Sequence, residues 1–137
     1  MLQRVREVGL ESFIQVDSAG TADYHVGEPP DRRTVAAARE RGVVLESLAR
    51  QFVADDFESF DYVLAMDSSN ASRLRSLARN GDEEAKVQLL LEYAGDAETL
   101  DVPDPYYGGA SGFDHVFQLC DEAVKGLIAH IRREHDL

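Results

Sequence analysis

Three short apolar runs most constrain what this chain can fold into. They cover residues 13–16, 62–66 and 87–91, and each is nearly continuous rather than alternating with polar residues. Runs of this length and kind are typical of strands that are buried on both faces of a parallel sheet. Because parallel strands need crossover connections, usually helices, the runs predict an α/β protein with a parallel sheet.

Helical patterns lie between and after these runs. They cover residues 32–41, 68–79 and 116–131, the last with the clearest 3.6-residue period. Gly42 follows the first pattern as a C-cap residue, and Asp67 precedes the second as an N-cap residue. With no internal repeat, low-complexity tract or linker between the elements, we expect a single domain over residues 1–137.

The first ten residues show an apolar helical period from Met1 onward, but no capping residue precedes them. The chain therefore reads as though it begins partway along a helix, and an α/β protein is expected to have a strand before that helix. A frayed N-terminal helix that starts the fold is the alternative interpretation.

Charge and cysteine content exclude several classes of protein. The net charge of −12 argues against a nucleic-acid partner, because a phosphate backbone would be repelled. No apolar run approaches the roughly 18 residues of a membrane span. The single cysteine, Cys120, excludes an internal disulfide and a multi-cysteine zinc site. We expect a cytoplasmic protein without a membrane or nucleic-acid partner.

Candidate chemistry lies where the predicted strands end, since ligands of open parallel sheets bind outside the carboxyl ends of the strands. Residues 17–20 follow the first run and residues 67–70 follow the second, while the third run leads to residues 101–109. Asp17 and Asp67 could also suggest a magnesium-dependent phosphoryl receiver, but the adjacent acids and the lysine of such a site are not visible.

Asp104 stands between Pro103 and Pro105, which restrict the backbone on both sides of it, and Tyr106 and Tyr107 follow directly. A rigidly held carboxylate beside two aromatic rings suits a general acid above an aromatic-walled pocket. A Pro-Gly surface loop with an incidental aspartate is the other interpretation of the same residues.

The segment DVPDPYYGG at residues 101–109 strongly resembles the general-acid loop of the low molecular weight protein tyrosine phosphatases. Five further stretches resemble the same family, in order and at the right spacing: VDSAGT (16–21), HVGEPPD (25–31), ARQ (49–51), DDFESFDYVLAMDSSN (55–70) and FDHVFQLCDEAVKGL (113–127). The resemblance implies a three-layer α/β/α sandwich with a parallel sheet. It also implies hydrolysis of protein phosphotyrosine through a phosphocysteine, without a cofactor or metal.

The resemblance assigns roles residue by residue. Asp104 would be the general acid. The ring of phosphotyrosine would lie between Tyr106, Tyr107 and Tyr24, and the phosphate-binding loop would be supported by hydrogen bonds from Ser18, Asp67 and Asn70.

The family's phosphate-binding loop, Cys-x5-Arg, does not occur within the 137 residues. The residue six positions after Cys120 is Gly126, and Cys120 lies on an apolar helical stripe that favours a buried structural thiol. The resemblance puts the loop, and the first strand of the sheet, shortly before Met1. We therefore expect an inactive chain as written, through an N-terminal truncation or a start codon assigned too late.

Two alternatives stay open at this point. A pseudophosphatase would be a non-catalytic module that binds a protein partner through the acidic face of residues 80–104. An arsenate reductase shares the fold but relays electrons through several cysteines, which the single cysteine here disfavours. If the first strand is absent, self-association through the unpaired sheet is a further expectation.

Overall fold

The computed structural model describes residues 1–21, 32–40, 42, 50–95, 100–103 and 109–137. Its elements are, in chain order, α1 (Leu2–Glu7), α2 (Arg32–Glu40), α3 (Asp56–Ser59), β1 (Val63–Ala65), α4 (Ser68–Leu77), α5 (Gly81–Lys86), β2 (Val87–Leu89), a 3₁₀ turn (Leu90–Tyr93) and α6 (Gly109–His135). Strands β1 and β2 are parallel, with Val63 opposite Val87. The α/β class with a parallel sheet is confirmed.

Apolar side chains cover both faces of this sheet. On one face, Val63 and Ala65 pack with Phe57 of α3 and with Ala71 and Leu74 of α4. Because successive strand residues point to opposite faces, Leu64 lies in the other core, which α6 and the 3₁₀ turn form. The members of that core are Leu90, Leu91, Ala123, Leu127 and Ile131. The sheet is therefore the middle layer of three, as the predicted sandwich requires.

Helix α1 packs on the same side as α6. Val5 and Leu10 are buried against Val124 and Ile128 of α6. The first helical residue has Met1 as its N-cap, and no side-chain hydrogen bond caps it. The uncapped helix expected from the sequence is thus confirmed, and its stability comes from packing on α6 rather than from capping.

The sequence prediction located six elements, α1, α2, β1, α4, β2 and α6, and missed α3, α5 and the 3₁₀ turn. Asn80-Gly81 directly follows the helical pattern of residues 68–79 and is typical of a helix end, and α4 does end before it. Asn80 is also the N-cap of α5, because its side-chain oxygen accepts a 2.9 Å hydrogen bond from the backbone N–H of Glu83. The signal was present in the sequence, since Asn followed three residues later by Glu is a helix-start pattern.

The strand predicted at residues 13–16 is wrong. Phe13 lies in a turn, and residues 14–19 belong to no strand. In the described part of the chain the two strands β1 and β2 pair with each other, and an isolated bridge joins Gly20, just after this segment, to Gln51. An apolar run becomes a strand only where a neighbouring strand accepts and donates its backbone hydrogen bonds.

Candidate active site

The start of α4 lies at the carboxyl end of β1, where the sequence predicts the site. Asp67 is the N-cap of α4, in extended conformation, and its carboxylate accepts a 2.7 Å hydrogen bond from the backbone N–H of Asn70. Two predicted site residues, Asp67 and Asn70, are therefore in direct contact. The contact is the local N-cap geometry that satisfies one of the unpaired N–H groups of a helix N-terminus.

The segment that leads to Asp104 is hydrogen-bonded to this same place. The carboxylate oxygen Oδ1 of Asp101 accepts from the backbone N–H of Ser68 at 2.8 Å and from its hydroxyl at 2.6 Å. The backbone N–H of Val102 donates to the carbonyl oxygen of Met66 at 2.8 Å. Residues 101 and 102 are thereby fastened to the end of β1 and the first turn of α4.

Arg50 organises a second loop, residues 17–21. Its Nε donates to Asp17 at 3.0 Å, its Nη1 donates to Asp56 at 3.0 Å, and its carbonyl oxygen accepts from the N–H of Gly20. Asp17 in turn accepts a 2.7 Å hydrogen bond from the backbone N–H of Ser18. The predicted site residue Ser18 is thus exposed on a loop that an arginine holds in place.

Both loops contact α4, one at Ser68 and the other at Arg73. Arg73 of α4 donates to the hydroxyl oxygen of Thr21 at 3.4 Å, a long contact that brings the 17–21 loop beside the helix. Among the described contacts, this hydrogen bond links the loop of Ser18 to α4. Asp67 and Asn70, in contrast, belong to the start of α4 itself. Tyr24, Asp104, Tyr106 and Tyr107 lie outside the described residues.

The charges of the Arg50 cluster stabilise one another. Burial raises the pKa of Asp56, but hydrogen bonds from the Val53 backbone and from Arg50 outweigh burial, so the pKa of Asp56 is lowered overall. The hydrogen bond to Asp56 likewise raises the pKa of Arg50, against the effect of burial. Both groups are charged at neutral pH, which keeps the ion pair intact.

Cys120 has the surroundings of a structural thiol. It packs in the core formed by α6 and the 3₁₀ turn, and burial raises the pKa of its thiol. A thiol held in its protonated form is a poor nucleophile, because the thiolate is the reactive species. Cys120 therefore does not supply the nucleophile that the family's chemistry needs.

Two side chains that organise the loops of the candidate site escaped the sequence prediction, Asp101 and Arg50. Arg50 belongs to the Ala-Arg-Gln stretch that resembles the family, but its partner Asp17 is 33 residues away. Asp101 stands beside the predicted acid, and its partner Ser68 is also 33 residues away. Neither partner could be identified from local patterns, since both pairs form only when distant segments meet.

Two further features are absent from the residues that the structure describes. None of their helices is long and apolar enough to cross a membrane. No group of three or more His, Cys, Asp or Glu side chains among them could hold a metal ion.

Comparison with known proteins identifies the family of this chain. The sequence profile described as "Low molecular weight phosphotyrosine protein phosphatase" matches residues 1–137. The chain belongs to this family. The low molecular weight protein-tyrosine-phosphatase of Streptomyces coelicolor is 41% identical over 133 residues, which are 96% of this chain and 81% of that protein. Members of the family are named phosphotyrosine protein phosphatases, which are hydrolases. The chain therefore belongs to a family of enzymes.

Solved structures confirm the fold. A protein tyrosine phosphatase from Entamoeba histolytica, crystallised with Hepes in the active site, superposes with a TM-score of 0.90 at 32% identity; the match covers 98% of this chain and 85% of that one. A Drosophila arginine phosphatase superposes with a TM-score of 0.86 at 31% identity, covering 96% and 85%. Similarity of fold therefore does not by itself distinguish a phosphotyrosine substrate from a phosphoarginine substrate.

Proposed function

We propose that this chain is the main part of a low molecular weight protein tyrosine phosphatase whose nucleophile is supplied by a Cys-x5-Arg loop ahead of Met1. The observation that carries the proposal is the fastening of residues 101 and 102 to Ser68 and Met66. It holds the chain immediately before Asp104 at the carboxyl end of β1, where open α/β sheets bind their ligands.

The reaction proceeds in two steps. The cysteine thiolate of the loop attacks phosphorus, the bond to the tyrosine oxygen breaks, and Asp104 gives its proton to the leaving phenolate. The ionised Asp104 then takes a proton from water, which attacks the phosphocysteine and releases phosphate and the thiolate. The arginine of the loop and its backbone N–H groups stabilise the charge on the phosphoryl oxygens.

The remaining site residues serve binding and support. Tyr106, Tyr107 and Tyr24 line the slot for the phosphotyrosine ring, and this aromatic lining favours an aryl substrate over phosphoarginine. Support of the phosphate-binding loop comes from Ser18, Asp67 and Asn70. Asp67 and Asn70 suit this role because they lie together at the carboxyl end of β1.

The test uses two forms of the protein. One is the 137-residue chain; the other, called the extended protein below, carries ahead of Met1 the family's first strand and Cys-x5-Arg loop from the Streptomyces coelicolor relative. We expect the 137-residue chain to hydrolyse p-nitrophenyl phosphate no faster than a blank, because it lacks the nucleophile and the arginine. The extended protein should hydrolyse it and should prefer a phosphotyrosine peptide to a phosphoarginine peptide.

In the extended protein, Asp104→Asn should lower kcat for a phosphotyrosine peptide by about 10²–10⁴-fold, the usual contribution of a general acid, and by less for p-nitrophenyl phosphate, whose phenolate needs little protonation to leave. Asp61→Asn is the matched control, since Asp61 is an exposed carboxylate at the amino end of β1. Phosphate-inhibitable turnover by the 137-residue chain, preference for phosphoarginine, or an Asp104→Asn enzyme with unchanged kcat would each contradict the proposal.

A further inference from the structure

The carboxylate of Asp101 lies in an unusual place for a helix-capping group. It accepts two hydrogen bonds from Ser68, the first residue of α4, although it is 33 residues distant in sequence. The helix already has its own N-cap, because Asp67 accepts from the N–H of Asn70. Asp101 satisfies a second N–H group at this helix start, and because it comes from a distant segment, its contacts also fix the position of that segment.

The position of residues 101 and 102 restricts where Asp104, the proposed general acid, can lie. Asp101 and Asp104 are three residues apart, so their Cα atoms are separated by at most about 10 Å. Pro103, between them, has a fixed φ and removes much of the backbone freedom that would decouple the two residues. The adjacent hydrogen bond from Val102 to Met66 fastens the segment at a second point.

We propose that Asp101 is a positioning residue for the general acid Asp104, an inference that rests on the proposed function. The pair of hydrogen bonds to Ser68 determines where the loop leaves the end of β1, and thereby the distance between the Asp104 carboxyl group and the leaving oxygen. Proton transfer depends steeply on that distance, whereas attack of the thiolate on phosphorus does not involve Asp104.

The test measures kcat/KM of the extended protein with a series of aryl phosphates, from p-nitrophenyl phosphate to phenyl phosphate. A positioning role predicts that Asp101→Ala lowers kcat/KM for phenyl phosphate by about 10- to 100-fold, the usual effect of misplacing a catalytic group by about 1 Å. The change for p-nitrophenyl phosphate should be small, because its phenolate leaves with little protonation. A structural defect would lower kcat/KM by the same factor for every substrate.

Two further variants separate the roles. Asp101→Asn keeps an oxygen that can accept both hydrogen bonds from Ser68, so it should restore most of the activity with phenyl phosphate. In an Asp104→Asn background, Asp101→Ala should have no additional effect, since it acts through the missing acid. Asp61→Ala, which removes a carboxylate from the amino end of β1, should leave the whole series unchanged.

The outcomes distinguish this inference from the function on which it rests. Three results would overturn the role of Asp101 and leave the proposed function standing. The Asp101→Ala enzyme would have the same kcat/KM values as the unmodified extended protein, or it would lose activity by the same factor with every substrate. In the third, Asp101→Ala would lower the activity of the Asp104→Asn enzyme further. An extended protein without turnover, or one that does not depend on Asp104, overturns the proposed function and the role of Asp101 with it.

Discussion

Arg4 joins α1 to α6 through a two-point ion pair with Asp121. Its Nε donates to Oδ1 at 2.8 Å and its Nη2 donates to Oδ2 at 2.7 Å, the paired geometry that a guanidinium forms with a carboxylate. The hydrogen bond from Arg4 lowers the pKa of Asp121, although burial opposes it. Because both groups are partly exposed, solvent weakens the pair, and we assign it about 1 kcal/mol of stability.

The lowered pKa determines how this contribution depends on pH. A carboxylate with a depressed pKa in the folded state stabilises the protein above its unfolded-state pKa of about 3.9, and the contribution is lost as the pH falls below that value. Asp121→Asn should therefore lower the free energy of unfolding of the extended protein by about 1 kcal/mol at neutral pH, and by less below about pH 4. Urea unfolding at several pH values measures the difference.

Glu122→Gln provides the comparison, since Glu122 is the exposed neighbouring carboxylate on the same helix. Its free energy of unfolding should stay close to that of the unmodified protein. A cost of Asp121→Asn that persisted unchanged into acid would mean that the contribution of Asp121 does not come from its charge.

The contact between α6 and the 3₁₀ turn depends on the small size of Gly126. A Cβ atom at this position would overlap the carbonyl oxygen of Tyr93 and lie 3.0 Å from its carbonyl carbon. Both atoms belong to backbone that packs on α6, so they cannot move aside as a flexible side chain would. The glycine lets the 3₁₀ turn and α6 approach closely enough to bury Leu91 and Leu127 between them.

Two opposing effects decide the result of Gly126→Ala. Alanine favours a helix over glycine by about 1 kcal/mol, whereas overpacking a closely fitted site costs about 1–3 kcal/mol. We expect overpacking to prevail, so Gly126→Ala should lower the free energy of unfolding of the extended protein. Ala129→Gly, at an exposed position on the same helix, isolates the propensity effect and should cost about 1 kcal/mol. A more stable Gly126→Ala protein would show that the two backbones are further apart.

In the described part of the molecule the sheet is small and one apolar segment is exposed. The described strands form a two-stranded sheet, which is marginal by itself in water. Phe13 is 69% exposed, in the run that was predicted as a strand and has no strand beside it in the described part of the chain. These features favour pairing with another copy, while the net charge of −12 opposes it.

We therefore expect the 137-residue chain to self-associate, and to do so more at high ionic strength, because salt screens the repulsion between copies. Light scattering coupled to gel filtration measures the mass at each salt concentration. Phe13→Ser should reduce association, whereas Val53→Ser, at an apolar position that is 50% exposed elsewhere, should not. A strictly monomeric sample with a sharp cooperative melt at every ionic strength would contradict the expectation.

What could be predicted from the sequence is local in origin. Helix α6 follows from a 3.6-residue apolar period, β1 and β2 follow from short apolar runs, and the start of α4 follows from Asp67 as its cap. Each of these signals lies within one turn or one strand of the residues that it describes. The resemblance of residues 101–109 to a known loop is local as well, and it indicated both the family and the candidate acid.

The tertiary structure alone decided which distant groups meet. Asp101 bonds Ser68 across 33 residues and Arg4 bonds Asp121 across 117, and no periodicity or capping rule connects such positions. Residues 13–16 also show that local patterns are not sufficient. Their composition favours a strand, but a strand needs a hydrogen-bonded neighbour as well. Sequence patterns determine the conformation that a segment prefers. The assembled chain determines which partner satisfies its polar groups, because that partner comes from another part of the fold.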